Sequence, residues 1–345
     1  MDALERVADQ VELVSTFRSF DADGDAARQD ALRLQGAALA ERMAAQWRAA
    51  PQGRPDLWFT YHVYYKAPDW LGPAVSAALG IPYVIAEASY AQKRASGPWA
   101  LGHEAAADAI SRARLVISPS RDDVTGLEEL VAKERLVHLP PFLDVAPYRA
   151  AAKQREAHRA RLAKTWNLGP EIPWIAVAAM MRTGDKAASY RALAAALKSV
   201  ADIPWNLLVA GDGSARGEIE AALERAAPGR TRLLGTLGTR ELTEMYAACD
   251  LYAWPAVNEA YGMALLEAQA AGLPVVSRAT RGVPDVVVHG RTGLLSEEDI
   301  VEPLRELLTD GKLRDRLGRE AAAFVAAERS LDAAASRLKK LLSAL

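Results

Sequence analysis

An alternation constrains this chain more than any single residue does. Short apolar runs recur along its length, separated by longer amphipathic stretches rich in Ala, Leu, Glu and Arg. The apolar runs place candidate strands at 11–15, 57–61, 83–86, 115–118, 136–139, 174–180, 206–210, 232–234, 251–254 and 274–276. Several are continuous rather than alternating, as expected of parallel strands covered on both faces. The stretches 26–48, 105–111, 187–199, 216–225 and 241–248 read as helices. Strand–helix alternation of this kind predicts an α/β doubly wound fold.

At 345 residues the chain is too long for one comfortable core and suits two domains. Pro140, Pro141 and Pro147 interrupt it, a basic helical stretch follows at 153–164, and Gly169-Pro170 precedes a new strand at Trp174. The expected division is 1–150, 151–325 and a terminal helix at 326–345, with Leu331, Leu338, Leu341 and Leu342 on an apolar stripe.

Lys plus Arg total 42 against 44 Asp plus Glu, so nothing points to a nucleic acid or another bulk polyanion. The lone cysteine, Cys249, excludes an internal disulfide framework and reads as a small buried apolar residue. No run of about 18 apolar residues exists, and Met-Asp-Ala-Leu-Glu at the start lacks a signal peptide's basic and apolar regions. A cytoplasmic protein is expected, with peripheral contact at the inner membrane face left open. Asp21, Asp23 and Asp25 lack the later Glu of a calcium loop and read as a solvated acidic turn.

The strongest chemical signal lies between Asp250 and Gly293. A strand ends in Trp254-Pro255, a loop carries Asn258-Glu259, Tyr261-Gly262 opens a helix, and Gly272-Leu273-Pro274 leads into the next strand. Open α/β sheets bind ligands at the carboxyl ends of their strands, where this loop falls. A helix N-terminus offers free amides and the positive end of the dipole, which suits a diphosphate. Gly262 lets a phosphate approach the backbone. Glu267 lies about a turn and a half into the helix and leans back towards its start, within reach of a ribose diol. Glu259 precedes the helix and suits sugar hydroxyls beyond the phosphates.

Cations come from an earlier turn. Arg182 and Lys186 flank Gly184 after the strand at 174–180, placed to neutralise charge building on a leaving diphosphate. Gly211 and Gly213 follow another strand and permit close backbone approach; a tight strand–helix turn is an equal reading. Leu237, within Gly235–Gly238, is a candidate for lining a base pocket.

These residues, in this order, resemble glycosyltransferase family 4, retaining enzymes of the GT-B fold. The resemblance takes in Arg182, Lys186, Gly211-Asp212-Gly213, Glu259, Glu267, Gly272–Val276 and Gly282-Val283-Pro284-Asp285 with Gly290–Leu294. Pro55-Asp56-Leu57, Gly80-Ile81-Pro82 and Pro140–Asp144 extend it into the first half. It implies two Rossmann-like domains facing across a cleft, with the last helix crossing back to the first. It further implies that Arg182 and Lys186 bind the diphosphate, Glu259 the donor sugar and Glu267 the ribose. Tyr261 and the amides of Gly262, Met263 and Ala264 would complete the anion site. The implied reaction is metal-independent transfer with retained anomeric configuration. It uses no cofactor beyond the nucleotide sugar, which is a co-substrate, and takes a carbohydrate or lipid-linked acceptor.

Three departures stand out. The Arg–Lys separation is four residues, where many family members have five. The family's usual N-terminal histidine is replaced by Ala86-Glu87-Ala88-Ser89, which leaves Glu87, His62 and His103 as acceptor-side candidates. The first strand and its Gly-rich turn are missing, so 11–15 reads as a second strand beside an absent central one. The expectation is that the coding sequence begins upstream by roughly 20–35 residues, and that a chain without that strand transfers weakly. Other readings are a non-catalytic GT-B nucleotide-sugar-binding protein, a GT-B sugar-nucleotide epimerase and an inverting transferase. A dinucleotide oxidoreductase is disfavoured, because no Gly-x-Gly-x-x-Gly follows a strand.

Overall fold

A computed structural model describes all 345 residues. Two compact units emerge: Met1–Pro140 together with Arg337–Leu345, and Pro141–Ser336.

In the first unit the elements run α1 (Asp2–Glu5), α2 (Ala26–Ala49), β1 (Trp58–Val63), α3 (Gly72–Leu79), β2 (Tyr83–Ala88), α4 (Ala100–Arg112), β3 (Leu115–Ser118), α5 (Arg121–Leu127) and β4 (Leu136–His138). The strands form one parallel sheet in the order β1-β2-β3-β4. Val84, Ile85 and Val116 are fully buried in it, which explains their continuous apolar pattern. The expected strand at 11–15 does not form. A strand needs a neighbour to satisfy its backbone groups, and β1 pairs with β2 alone. Val14 and Phe17 pack instead as side chains against the core of this unit. The acidic turn also differs from expectation. Asp21 is buried and accepts from the Gly24 amide at 2.9 Å and from Gln29 Nε2 at 3.0 Å, so it organises the entry to α2.

The second unit contains α6 (Ala146–Ala152), α7 (Arg155–Trp166), β5 (Trp174–Ala178), α8 (Asp185–Ser199), β6 (Asn206–Ala210), α9 (Arg216–Ala226) and β7 (Thr231–Gly235). It continues with α10 (Thr239–Ala248), β8 (Leu251–Trp254), α11 (Met263–Ala270), β9 (Val275–Arg278), α12 (Val283–Val286), β10 (Gly293–Ser296), α13 (Val301–Thr309) and α14 (Gly311–Glu328). The last helix, α15, spans Leu331–Leu342. Six parallel strands run β10-β9-β8-β5-β6-β7. The chain starts at the centre with β5, winds outwards through β6 and β7, then returns to β8 on the other side. That reversal between β5 and β8 is the switch point of a doubly wound sheet. β5 ends at Ala178 rather than 180, because the Ala179 carbonyl turns to accept from Tyr190 Oη at 2.8 Å. β10 was not anticipated: Gly-Leu-Leu-Ser is too short and mixed to stand out as an apolar run.

The units divide after Pro140, before the expected boundary at 150. Tyr148 of α6 is buried in the second core, which draws this helix into that unit. Arg337–Leu345 belongs to the first, where Arg337 donates to the His138 carbonyl at 3.0 Å. Within the second unit, Asp250 is clamped by Arg155 at 2.6 Å and Arg159 at 2.9 Å, and accepts from the Trp174 amide at 2.7 Å. This carboxylate ties α7 to the starts of β5 and β8. Cys249 beside it is fully buried, as expected, and burial pushes its thiol pKa up. No helix is long and apolar enough to cross a membrane.

Candidate functional site

The turn after β5 and the loop after β8 meet at the switch point. They line an open pocket of about 390 Å³ that includes Arg182, Lys186, Asn258 and Glu259. The loop is reached through Trp254, the last residue of β8, whose ring packs edge-on against Tyr190 at 4.9 Å.

Glu259 sits at the centre of this geometry. Its Oε2 accepts from Lys186 Nζ at 2.7 Å and from Trp254 Nε1 at 3.4 Å. Both charged side chains are mostly buried, at 25% and 19% exposure, so the pair is only partly screened by solvent. Arg182 stands exposed at the same pocket. Gly184 between them takes φ 79°, a left-handed conformation that lets the chain turn into α8.

Gly262 also adopts a left-handed φ of 66° and caps α11. An added Cβ would press on Val286 at 3.0 Å and Leu265 at 3.1 Å, so both backbone and space favour glycine. The amides of Met263 and Ala264 open the helix, where no earlier turn supplies carbonyl partners. Glu267 lies inside α11, half-buried, and accepts from Tyr246 Oη at 3.2 Å. Burial raises its pKa above the ordinary carboxylate value, and the tyrosine bond only partly offsets this.

Other candidates are placed differently. A Cβ at Gly211 would lie 2.0 Å from the Ala179 carbonyl, and one at Gly213 would lie 2.5 Å from that of Met181. Their tight approach is to the chain's own backbone, the turn reading of that segment. Leu237 is half-buried between β7 and α10 and packs on the core. Tyr261 is half-buried immediately before the α11 cap.

In the first unit, β1 and β2 bring His62 and Glu87 together at their carboxyl ends. His62 Nδ1 lies 2.9 Å from Glu87 Oε1. Both residues take left-handed backbone angles, 66° and 61°, which are uncommon outside glycine. The Glu87 bond raises the His62 pKa despite opposing desolvation, with a smaller contribution from Asp123. Burial, then Glu87, pushes the Tyr61 pKa to about 12. His103 does not join this pair. It is buried on α4, with Nε2 3.2 Å from the Ala91 carbonyl and its ring 4.9 Å from Tyr90.

Sequence reasoning gave no contact to Tyr246 or Arg281, and named Trp254 only as a strand end and Asn258 only as part of the loop. Trp254 and Tyr246 were absorbed into a strand and a helix, so their polar edges gave no signal. Asn258 and Arg281 meet only through folding, with Arg281 Nη1 2.8 Å from Asn258 Oδ1.

Residues 179–324, all within the second unit, match the family described as glycosyl transferases group 1. The match takes in most of the second unit, and the chain as a whole has the GT-B fold. Among solved structures, HepE from Anabaena in complex with UDP superposes with a TM-score of 0.71 at 17% identity, covering 90% of this chain and 83% of that one. Sucrose-phosphate synthase from Thermosynechococcus elongatus gives 0.66 at 20% identity, covering 91% and 79%. Among curated relatives, D-inositol 3-phosphate glycosyltransferase of Corynebacterium aurimucosum is 40% identical over 114 residues, which is 32% of this chain and 27% of that protein. Sulfoquinovosyl transferase SQD2 of Arabidopsis thaliana is 36% identical over 133 residues, 36% of this chain and 26% of that protein. The chain thus covers about a quarter of the length of these curated relatives.

Proposed function

We propose that this chain transfers a sugar from a nucleoside-diphosphate sugar to an acceptor hydroxyl, with retention of anomeric configuration and without a metal. The observation that carries the reading is Lys186 paired to Glu259 at the switch point, beside the open end of α11. Arg182, Lys186 and the amides of Met263 and Ala264 hold the diphosphate and offset the charge that builds as the sugar leaves. Glu259 accepts from the sugar's hydroxyls and Glu267 from the ribose diol. Retention follows if attack and departure share one face: the C1–O bond to the diphosphate breaks, the acceptor oxygen bonds to C1, and its proton passes to the leaving diphosphate oxygen. On the acceptor side, His62 and Glu87 hold the hydroxyl-bearing substrate, a carbohydrate or a lipid-linked one. The UDP bound in HepE supports a nucleotide ligand here.

Calorimetric titration with UDP-, GDP- and ADP-sugars tests the donor site. Micromolar binding of one of them, lost in Glu267→Ala, is the expected result, and no binding by any overturns it. NMR of the product's anomeric proton then separates retention from inversion.

A further inference from the structure

The loop that presents Glu259 is held in a costly conformation. Ala256 has φ 53° and Asn258 has φ 56°, and across from them Arg281 has φ 44°. None is glycine, and left-handed backbone at ordinary residues persists where surroundings over-determine it. Here those surroundings are visible. The first two turns of α8 grip the loop at consecutive points: Asp185 Oδ2 accepts from Asn258 Nδ2 at 2.7 Å, Lys186 pairs with Glu259, and Ser189 Oγ accepts from the Val257 amide at 3.0 Å. From the other side Arg281 donates to Asn258 Oδ1, and the Gly282 amide donates to the Glu259 carbonyl at 3.2 Å. A Cβ at Gly282 would come within 1.8 Å of the Ala260 carbonyl, so the two loops touch backbone to backbone.

Asn258 is the hub. Its amide nitrogen faces a carboxylate and its amide oxygen faces a guanidinium, so the charges on either side fix which end is which. Both bonds are charge-assisted, the stronger kind. We propose that Asn258 is a positioning residue for the donor sugar, held by Asp185 and Arg281 so that the left-handed turn aims Glu259 at the sugar. This rests on the donor-site reading above. The phosphate-facing amides of α11 lie beyond Gly262 and are held by their own cap, so loosening Asn258 weakens recognition of the sugar and leaves that of the nucleoside diphosphate intact.

The test uses the full chain and the nucleotide sugar turned over fastest in a panel of UDP-, GDP- and ADP-sugars. Asn258→Gly adopts the left-handed angle without strain and removes both side-chain bonds. It is expected to keep the wild-type Tm within about 2 °C, because relief of strain offsets the lost bonds. Its kcat/KM for the donor should fall about tenfold, while the inhibition constant of the free nucleoside diphosphate moves less than about twofold. Asn258→Asp sets two carboxylates against each other and should lose more. The double variant D185N/N258D restores a donor–acceptor pair and should recover most of that loss. Wild-type kcat/KM in Asn258→Gly, a parallel fall in both constants, or a double variant no better than N258D each overturns the proposal. If no nucleotide sugar in the panel is turned over and no nucleoside diphosphate binds, the donor reading itself falls, and this inference with it.

Discussion

Lys186 and Glu259 are joined at 2.7 Å across the switch point, one from the first turn of α8 and one from the loop after β8. The contact is more than a surface ion pair: the two strands whose connection reverses are β5 and β8, and each contributes the side chain that follows it.

Removing the cation should therefore damage transfer more than folding. Lys186→Ala is expected to lower donor kcat/KM by about 10²–10³, the scale of losing one preorganised charge-stabilising group. Arg182→Ala should be of similar direction while leaving Glu259 paired. Steady-state kinetics with purified variants checks this, and a loss under about threefold in Lys186→Ala would contradict the assignment.

Glu267 predicts a pH dependence. Its folded pKa is raised above 4.5 by burial. The sign follows from linkage: its contribution to stability is fully present below the unfolded value and is lost as pH rises through the folded one. Glu267→Gln should accordingly raise Tm at neutral pH, on the order of a degree or two. Because the proposed ribose contact uses the carboxylate, wild-type donor affinity should fall as pH drops through that raised value. An affinity profile that stays flat from pH 7 down to pH 4.5 would argue against the role.

Asp250 makes the contrasting case. Held by Arg155, Arg159 and the Trp174 amide, it is mostly buried at 13% exposure. Asp250→Ala leaves two guanidinium groups facing an empty carboxylate site, at a cost of about 3 kcal/mol. For a unit of this size that corresponds to a fall in Tm of roughly 8 °C. Differential scanning calorimetry reads the shift. At 20 °C the variant should still bind the nucleoside diphosphate normally, because the clamp lies at the opposite ends of the strands from the donor pocket.

His62 owes its raised pKa first to Glu87. Glu87→Gln should lower the imidazole titration midpoint seen by NMR, since the bonded anion is gone. With the pair intact, the stabilising contribution of His62 is present below about pH 6.5 and is lost as pH rises through the folded value. An unmoved midpoint in Glu87→Gln would show that the contact does not persist in solution.

Much of the second unit was legible from its chain order. Glu259, Gly262 and Glu267 fall where a strand exit, a cap and a helix interior each leave a local mark, and folding adds little long-range information to them. The first unit was less transparent. The run at 11–15 carries a strand's composition without a strand's partner, and partnering is a property of the sheet rather than of five residues. His62 and Glu87 were identifiable as polar residues near strand ends; their pairing depends on the β1–β2 register. The same holds for Asn258: its residue type tolerates the left-handed angle, but its two partners come from separate elements and leave no local mark.

Cys249 has a practical consequence. The only thiol in the chain is sealed in the second core and held protonated by burial, so it is inert to aqueous alkylating reagents while the protein is folded. A cysteine introduced on the surface would thus be the sole labelled position. A fluorophore or spin label could be set beside the donor loop without first deleting a native residue, and reaction of Cys249 itself would report unfolding.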